Sequence, residues 1–161
     1  MIKVIKVGGG IIEQEDNLNL FLDSFSQIEG PKVLIHGGGR LATKFAEDIG
    51  YKTTMVEGRR VTDEKMLEIV TMVYGGLANK KIVARLQSKE INALGLSGAD
   101  GNLITAHKRS VEKIDFGWVG DIDEVNTNLL INLIQDNIVP VIAPLSHDGN
   151  GNILNTNADT I

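Results

Sequence analysis

A chain of 161 residues with 42% apolar and 23% charged side chains has the size and balance of one globular domain with a real core. Its 16 basic and 21 acidic residues leave a net charge of −5, which argues against the basic surface a nucleic-acid partner needs. Cysteine is absent, which excludes disulfides and thiolate metal sites, and neither a membrane span nor a signal peptide is visible, so the expected location is cytoplasmic.

Residues 2–7 read as a strand that runs into Gly8-Gly9-Gly10. Leu18, Phe21, Leu22, Phe25 and Ile28 recur at helical spacing over 17–28, and Gly30-Pro31 stops that helix. Residues 32–36 form a short apolar strand ending in Gly37-Gly38-Gly39. Leu41, Phe45 and Ile49 mark the next helix, closed by Gly50. This order is the signature of a parallel sheet covered by helices. Gly58-Arg59-Arg60-Val61 reads as a loop, with Thr62 as N-cap and Asp63 and Glu64 in the first turn of a helix. Met66, Val70, Val73 and Leu77 continue its stripe, and Gly75-Gly76 is a point of kinking or breakage. A strand over 91–96, a hairpin region over 102–125, a helix carrying Leu129, Leu130, Leu133 and Ile134, and a buried strand over 138–143 follow. Asp148-Gly149-Asn150-Gly151 is a hairpin turn, and a helix is expected to open at Asn157.

Ligands of open α/β sheets bind beyond the carboxyl ends of the strands, where both glycine triplets lie. Without side chains, backbone N–H groups can approach an anion closely, and a following helix adds its positive end. Lys6, separated from the first triplet by Val7, can reach a phosphate held there. There is no Walker-type loop and no protein-kinase catalytic loop. Gly37-x-Gly39-x-x-Ala42, with Glu57 downstream, satisfies a relaxed dinucleotide fingerprint, so a nicotinamide oxidoreductase stays open as an alternative. Arg60 offers a fork for a carboxylate, against the plain reading of a solvated arginine. Asn155, Thr156, Asn157 and Asp159 are turn formers or contacts to a small polar substrate. His36 reads as a structural histidine, and the three histidines have no metal-ligand spacing.

Together these clusters resemble the amino acid kinase family over essentially the whole chain. Lys6-Val7-Gly8-Gly9-Gly10 looks like its first strand, His36-Gly37-Gly38-Gly39 like its second glycine turn, and Gly58-Arg59-Arg60-Val61-Thr62 like its substrate-arginine motif. Asn79-Lys80, the stretch 95–101, Gly117-Trp118-Val119-Gly120, the stretch 140–144 and Asn155-Thr156-Asn157-Ala158-Asp159 follow in the expected order. The Arg60 and Asn155 motifs point to the acylglutamate branch. The resemblance implies a three-layer α/β/α sandwich with a mainly parallel central sheet and a β-hairpin region. It implies phosphorylation of the side-chain carboxylate of an N-acylglutamate by ATP, accompanied by Mg2+, in arginine biosynthesis. Lys6 and the N–H groups of Gly8, Gly9 and Gly38 would meet the transferring phosphate. Gly38, Gly39, Arg60 and Asn155 would bind the acylglutamate, and Asp159 would hold the catalytic lysines. Residues 1–161 then correspond to the acylglutamate-binding part, with the ATP-binding part and a second catalytic lysine outside this sequence, so the chain alone is expected to be inactive. A homodimer without arginine feedback is the expected assembly. Arg59 stands where the family usually has Leu or Met, which suggests a larger anionic acyl group such as succinyl. A non-catalytic amino-acid-binding module is the remaining alternative.

Overall fold

The computed structural model describes residues 1–111 and 113–161. Strand β1 (Lys3–Val7) leads through Gly8 into a short helix, α1 (Gly9–Glu13), and then α2 (Glu15–Ser26). Leu18, Leu22 and Phe25 bury one face of α2; full burial of each stabilises the fold by ~1.5–3 kcal/mol. Lys32, the first residue of β2 (Lys32–His36), closes the far end of α2. Its ammonium donates to the carbonyls of Phe25, Ser26 and Ile28 at 2.9, 3.3 and 2.7 Å. The helix's last carbonyls, which have no partner within the helix, are thereby satisfied.

Helix α3 (Gly39–Asp48) ends at Gly50, whose φ of +76° is the left-handed conformation that glycine tolerates. The expected arginine loop is instead a small hairpin, β3 (Met55–Val56) and β4 (Arg59–Arg60). Glu57 and Gly58, at φ of +50° and +76°, make its turn, in the conformation that suits tight hairpins.

Helix α4 (Glu64–Val70) passes without a break into a π-helical segment (Thr71–Ala78) and then α5 (Asn79–Gln87). Its N-cap is Asp63 rather than Thr62: the Asp63 carboxylate accepts from the Met66 N–H at 2.8 Å. Thr62 faces inward and is fully buried. Gly75-Gly76 does not break the helix but falls inside the π segment. The wider i→i+5 turns change the helix phase, so Val73, Tyr74 and Ala78 point inward while Leu77 is turned out to solvent.

The chain continues through β5 (Ala93–Leu96), a 3-10 turn (Asp100–Asn102), β6 (Ile104–Lys108), β7 (Gly120–Val125), α6 (Thr127–Gln135), β8 (Val139–Ile142), β9 (Leu145–His147) and β10 (Ile153–Asn155). Asn126 caps α6 through its side-chain oxygen. The Asp148–Gly151 turn joins β9 and β10 as expected; Asp148 accepts from the N–H groups of Asn150 and Asn152. The helix expected at Asn157 is a single turn, closed from the Thr160 N–H to the Asn157 carbonyl at 3.0 Å.

Strands β1, β2, β8 and β5 lie side by side in that order, all parallel. Helices α2 and α5 cover one face, packing on Val7, Leu34, Val141 and Ala93. On the other face, α6 and the β6–β7 hairpin pack on Val33, Ile35 and Ile142. The alternation of Val33, Leu34 and Ile35 between faces is the strand period of two. The result is a three-layer α/β/α sandwich. A second sheet, in the order β10-β9-β6-β7, brings the carboxyl end of the chain toward the carboxyl ends of β1 and β2. A third cluster, from α3, α4 and the π segment, packs on Ala143 and Leu145 just beyond β8.

Candidate active site

Val7 and His36, the last residues of β1 and β2, are paired in register, so both glycine triplets leave the sheet at one level. They then touch. A Cβ added to Gly9 would lie 3.5 Å from the nitrogens of Gly38 and Gly39; one added to Gly37 would lie 3.1 Å from the nitrogen of Gly9. The opening turns of α1 and α3, whose first N–H groups have no helical acceptor, therefore converge. Gly38 must be glycine for a further reason: a Cβ there would fall 2.7 Å from the ring of Tyr74.

Behind the triplets, His36 is fully buried. Its Nδ1 donates to the Gly37 carbonyl at 2.7 Å and its Nε2 accepts from the Asn79 amide at 3.1 Å. The same amide nitrogen donates to Val141 in β8 at 2.9 Å. This network requires a neutral imidazole, and desolvation lowers the His36 pKa to about 4. His36 is thus the satisfied structural histidine that its position suggested, and Asn79 joins β2, β8 and α5.

Lys6 Nζ and Asp159 Oδ1 are 2.8 Å apart, which brings together residues from opposite ends of the chain. Both side chains are solvent-accessible, so the pair by itself is worth little stability. Gly8 sits beside them, a Cβ there lying 3.9 Å from Lys6 Nζ. Arg60 is buried and held from several sides. Its Nη2 donates to the Gly39 carbonyl at 2.8 Å and to Thr43 Oγ1 at 2.7 Å, and its Nη1 approaches Met66 Sδ at 3.8 Å. No carboxylate among the described residues neutralises it. Asn155 Nδ2 donates to Thr62 Oγ1 at 2.9 Å, and that hydroxyl lies 3.5 Å from the Arg60 carbonyl. That bond points the Asn155 amide nitrogen at Thr62 and leaves Oδ1 without a donor among the described residues. Gly117 runs against Thr62: its φ is +72°, and a Cβ there would fall 2.2 Å from the Thr62 carbonyl oxygen, which leaves no room for a side chain.

Lys6, Gly9, Gly38, Gly39, Arg60, Asn155 and Asp159 line a single cleft of about 400 Å³. Among the described residues, Lys6, Arg59, Arg60 and Arg109 face Asp159 as the only carboxylate of its lining. A concavity with four cations to one carboxylate, on a chain that is acidic as a whole, has the electrostatics of a site for anions. Sequence reasoning missed Tyr74, Arg109 and Phe116, which complete the walls. Arg109 is locked to Asp121 by a bidentate pair that lowers the Asp121 pKa. A second cavity of about 620 Å³ adjoins the first, with Arg59, Arg109 and Phe116 common to both and Lys113 on its far side. The dinucleotide reading loses its acid: Glu57 is at the tip of the β3–β4 hairpin, outside the parallel sheet, and not at the end of a strand beside β2.

The model of the amino acid kinase family matches residues 1–161. An acetylglutamate kinase of Bacteroides fragilis is 59% identical over 160 residues, covering 99% of this chain and 61% of the relative. Those of Cytophaga hutchinsonii and Methanopyrus kandleri are 53% and 44% identical, over 98% and 99% of the chain. The chain thus spans about three-fifths of the length of these relatives. Among solved structures, an N-acetylglutamate synthase from Neisseria gonorrhoeae superposes with a TM-score of 0.81 at 24% identity, over 98% of this chain and 36% of the other. An isopentenyl phosphate kinase superposes with a TM-score of 0.65 at 17% identity, over 99% of this chain and 64% of that one. Both are likenesses of fold.

Proposed function

The chain belongs to the amino acid kinase family, and we propose that residues 1–161 are the acylglutamate-binding part of an acetylglutamate kinase. The observation that carries this reading is the convergence of the Lys6–Asp159 pair, the two touching glycine turns, the fixed Arg60 and Asn155 on one cleft. Kinship with acetylglutamate kinases at 59% identity supports it.

In this reading an oxygen of the substrate's side-chain carboxylate attacks the γ-phosphorus of ATP. The new O–P bond forms as the β–γ bridging bond breaks, and its electron pair leaves with ADP. Such a transfer depends on position and charge rather than on a protein base. Lys6 neutralises charge on the transferring group, and Asp159 keeps its ammonium over the glycines. N–H groups of Gly8, Gly9 and Gly38 receive phosphoryl oxygens, which the missing Cβ atoms let come close. Arg60 holds the carboxylate that is not phosphorylated, and Asn155 Oδ1 accepts the amide N–H of the acyl group. Mg2+ would accompany the nucleotide and neutralise phosphate charge, as is usual for this ion. The nucleotide and a second lysine come from the part of the protein corresponding to the relatives' additional length. A cytoplasmic homodimer acting in arginine biosynthesis completes the reading; no helix among the described residues is long and apolar enough to cross a membrane.

The test is hydroxamate formation that depends on ATP and N-acetylglutamate, by the complete gene product. Lys6→Met should abolish it while thermal unfolding stays cooperative. An unaltered rate in that variant would rule the mechanism out. A second reading of the acyl group rests on Arg59, which lines both cavities: an anionic acyl group such as succinyl would extend from the cleft toward it. The kcat/KM values for N-acetyl- and N-succinylglutamate decide this. A strong acetyl preference that Arg59→Leu leaves unchanged would exclude succinyl.

A further inference from the structure

Tyr74 is the only aromatic residue of the π segment, and its side chain is almost wholly buried, at 4% exposure. Its ring lies against Gly38, and its hydroxyl comes within 4.0 Å of the point where a Gly39 side chain would begin. Arg60 Nη2 comes within 3.9 Å of that same point. Two donors, one a guanidinium and one a phenol, therefore flank one spot in the cleft, directly over a glycine that leaves the spot open. Arg60 is fixed there by Gly39 and Thr43. The Arg60 guanidinium is close enough to donate toward the Tyr74 oxygen, but among the described residues the phenol O–H has no acceptor, and Tyr74 is part of the cleft wall. Buried tyrosines ordinarily pair their hydroxyl, and the open side here is the ligand's side. Burial raises the pKa of this phenol, against the nearby Arg60 charge; the group keeps its proton and can donate it.

We propose that Tyr74 is a substrate-binding residue whose phenol O–H donates to the same substrate carboxylate that Arg60 holds. The inference rests on the acylglutamate reading and adds to it a second, neutral ligand for that carboxylate. The π segment makes it possible: the wider turns bring both Val73 and Tyr74 inward, so both pack in one core cluster while Tyr74 also reaches the cleft.

Tyr74→Phe removes the hydroxyl and keeps the ring on Gly38, so the fold should be retained. Calorimetric binding on the complete gene product compares N-acetylglutamate with N-acetyl-4-aminobutyrate, which lacks the carboxylate in question. The expected result is a loss of about tenfold or more in N-acetylglutamate affinity, the worth of one hydrogen bond to a charged group, with less than about a twofold change for the analogue. Equal affinity of wild type and variant for N-acetylglutamate, or equal losses for both ligands, overturns the role of Tyr74 and leaves the acylglutamate reading standing. A wild-type protein that unfolds cooperatively but does not bind N-acetylglutamate overturns both. A measurement on the unaltered side chain guards against a variant that misfolds: the tyrosine Cζ NMR signal of Tyr74 in wild type should shift with N-acetylglutamate and stay still with the analogue. A signal unmoved by either also overturns the proposal.

Discussion

His36 makes the stability of this protein depend on pH in a window set by one side chain. Its imidazole must be neutral in the folded state, because Nε2 accepts from Asn79 and no room remains for a second donor. The unfolded chain takes up a proton near the ordinary value of 6.5, the folded chain only near 4. Between those values the unfolded state binds more protons, so the contribution is present above about pH 6.5 and is lost as pH falls through the window. The full shift corresponds to about 3 kcal/mol, of which about 2 kcal/mol is gone at about pH 5. Urea unfolding of wild type and His36→Gln at about pH 7.5 and about pH 5 isolates the effect, since the carboxylates behave alike in both proteins. Wild type should lose about 2 kcal/mol more than the variant over that interval. At the higher pH the variant is the weaker protein by about 1–3 kcal/mol, the cost of disturbing a buried hydrogen-bonded group. Parallel pH slopes for the two proteins, or an imidazole that NMR shows to be protonated at about pH 5.5, would refute the argument.

Gly38→Ala should destabilise the protein by about 1–3 kcal/mol in thermal or urea unfolding, because the new methyl must displace the Tyr74 ring from 2.7 Å away. Asp63→Ala removes the α4 cap and should cost about 1 kcal/mol. The same substitution should bring Tyr51, whose pKa Asp63 helps raise to about 12, back toward 10, as followed by phenolate absorbance. Arg109→Met should weaken folding by about 1 kcal/mol or less, since its ion pair with Asp121 is only partly buried; chemical unfolding in low salt is the measurement.

The parallel sheet was legible because its strands are short apolar runs bounded by glycine and proline, and β2 falls on the predicted residues. Helix α1 was not, since Gly9 and Gly10 are poor helix formers that only tertiary packing holds in a helical turn. Thr62 was read as a cap because it suits that role as well as Asp63 does; the choice between them depends on Asn155, 93 residues away. The Leu77 stripe failed because the reading assumed one helical period, and the π segment has another. Site residues next to glycines stood out for their chemistry. Tyr74 and Phe116 resembled ordinary core residues, and nothing in the local sequence shows that the Tyr74 ring ends in a cleft.

The cleft is assembled from three sheets that share no strand. Lys6 and both glycine turns leave the parallel sheet, whereas Arg59, Arg60 and Asn155 come from the β3–β4 hairpin and from β10. Descent with modification can therefore act on the two ends separately. Under the proposed function, substitutions in the hairpin or at Arg109 and Phe116 would remodel the acceptor end without entering the strands that fix the phosphoryl end. On that reading, a lineage would change what it phosphorylates and still inherit the means of doing so.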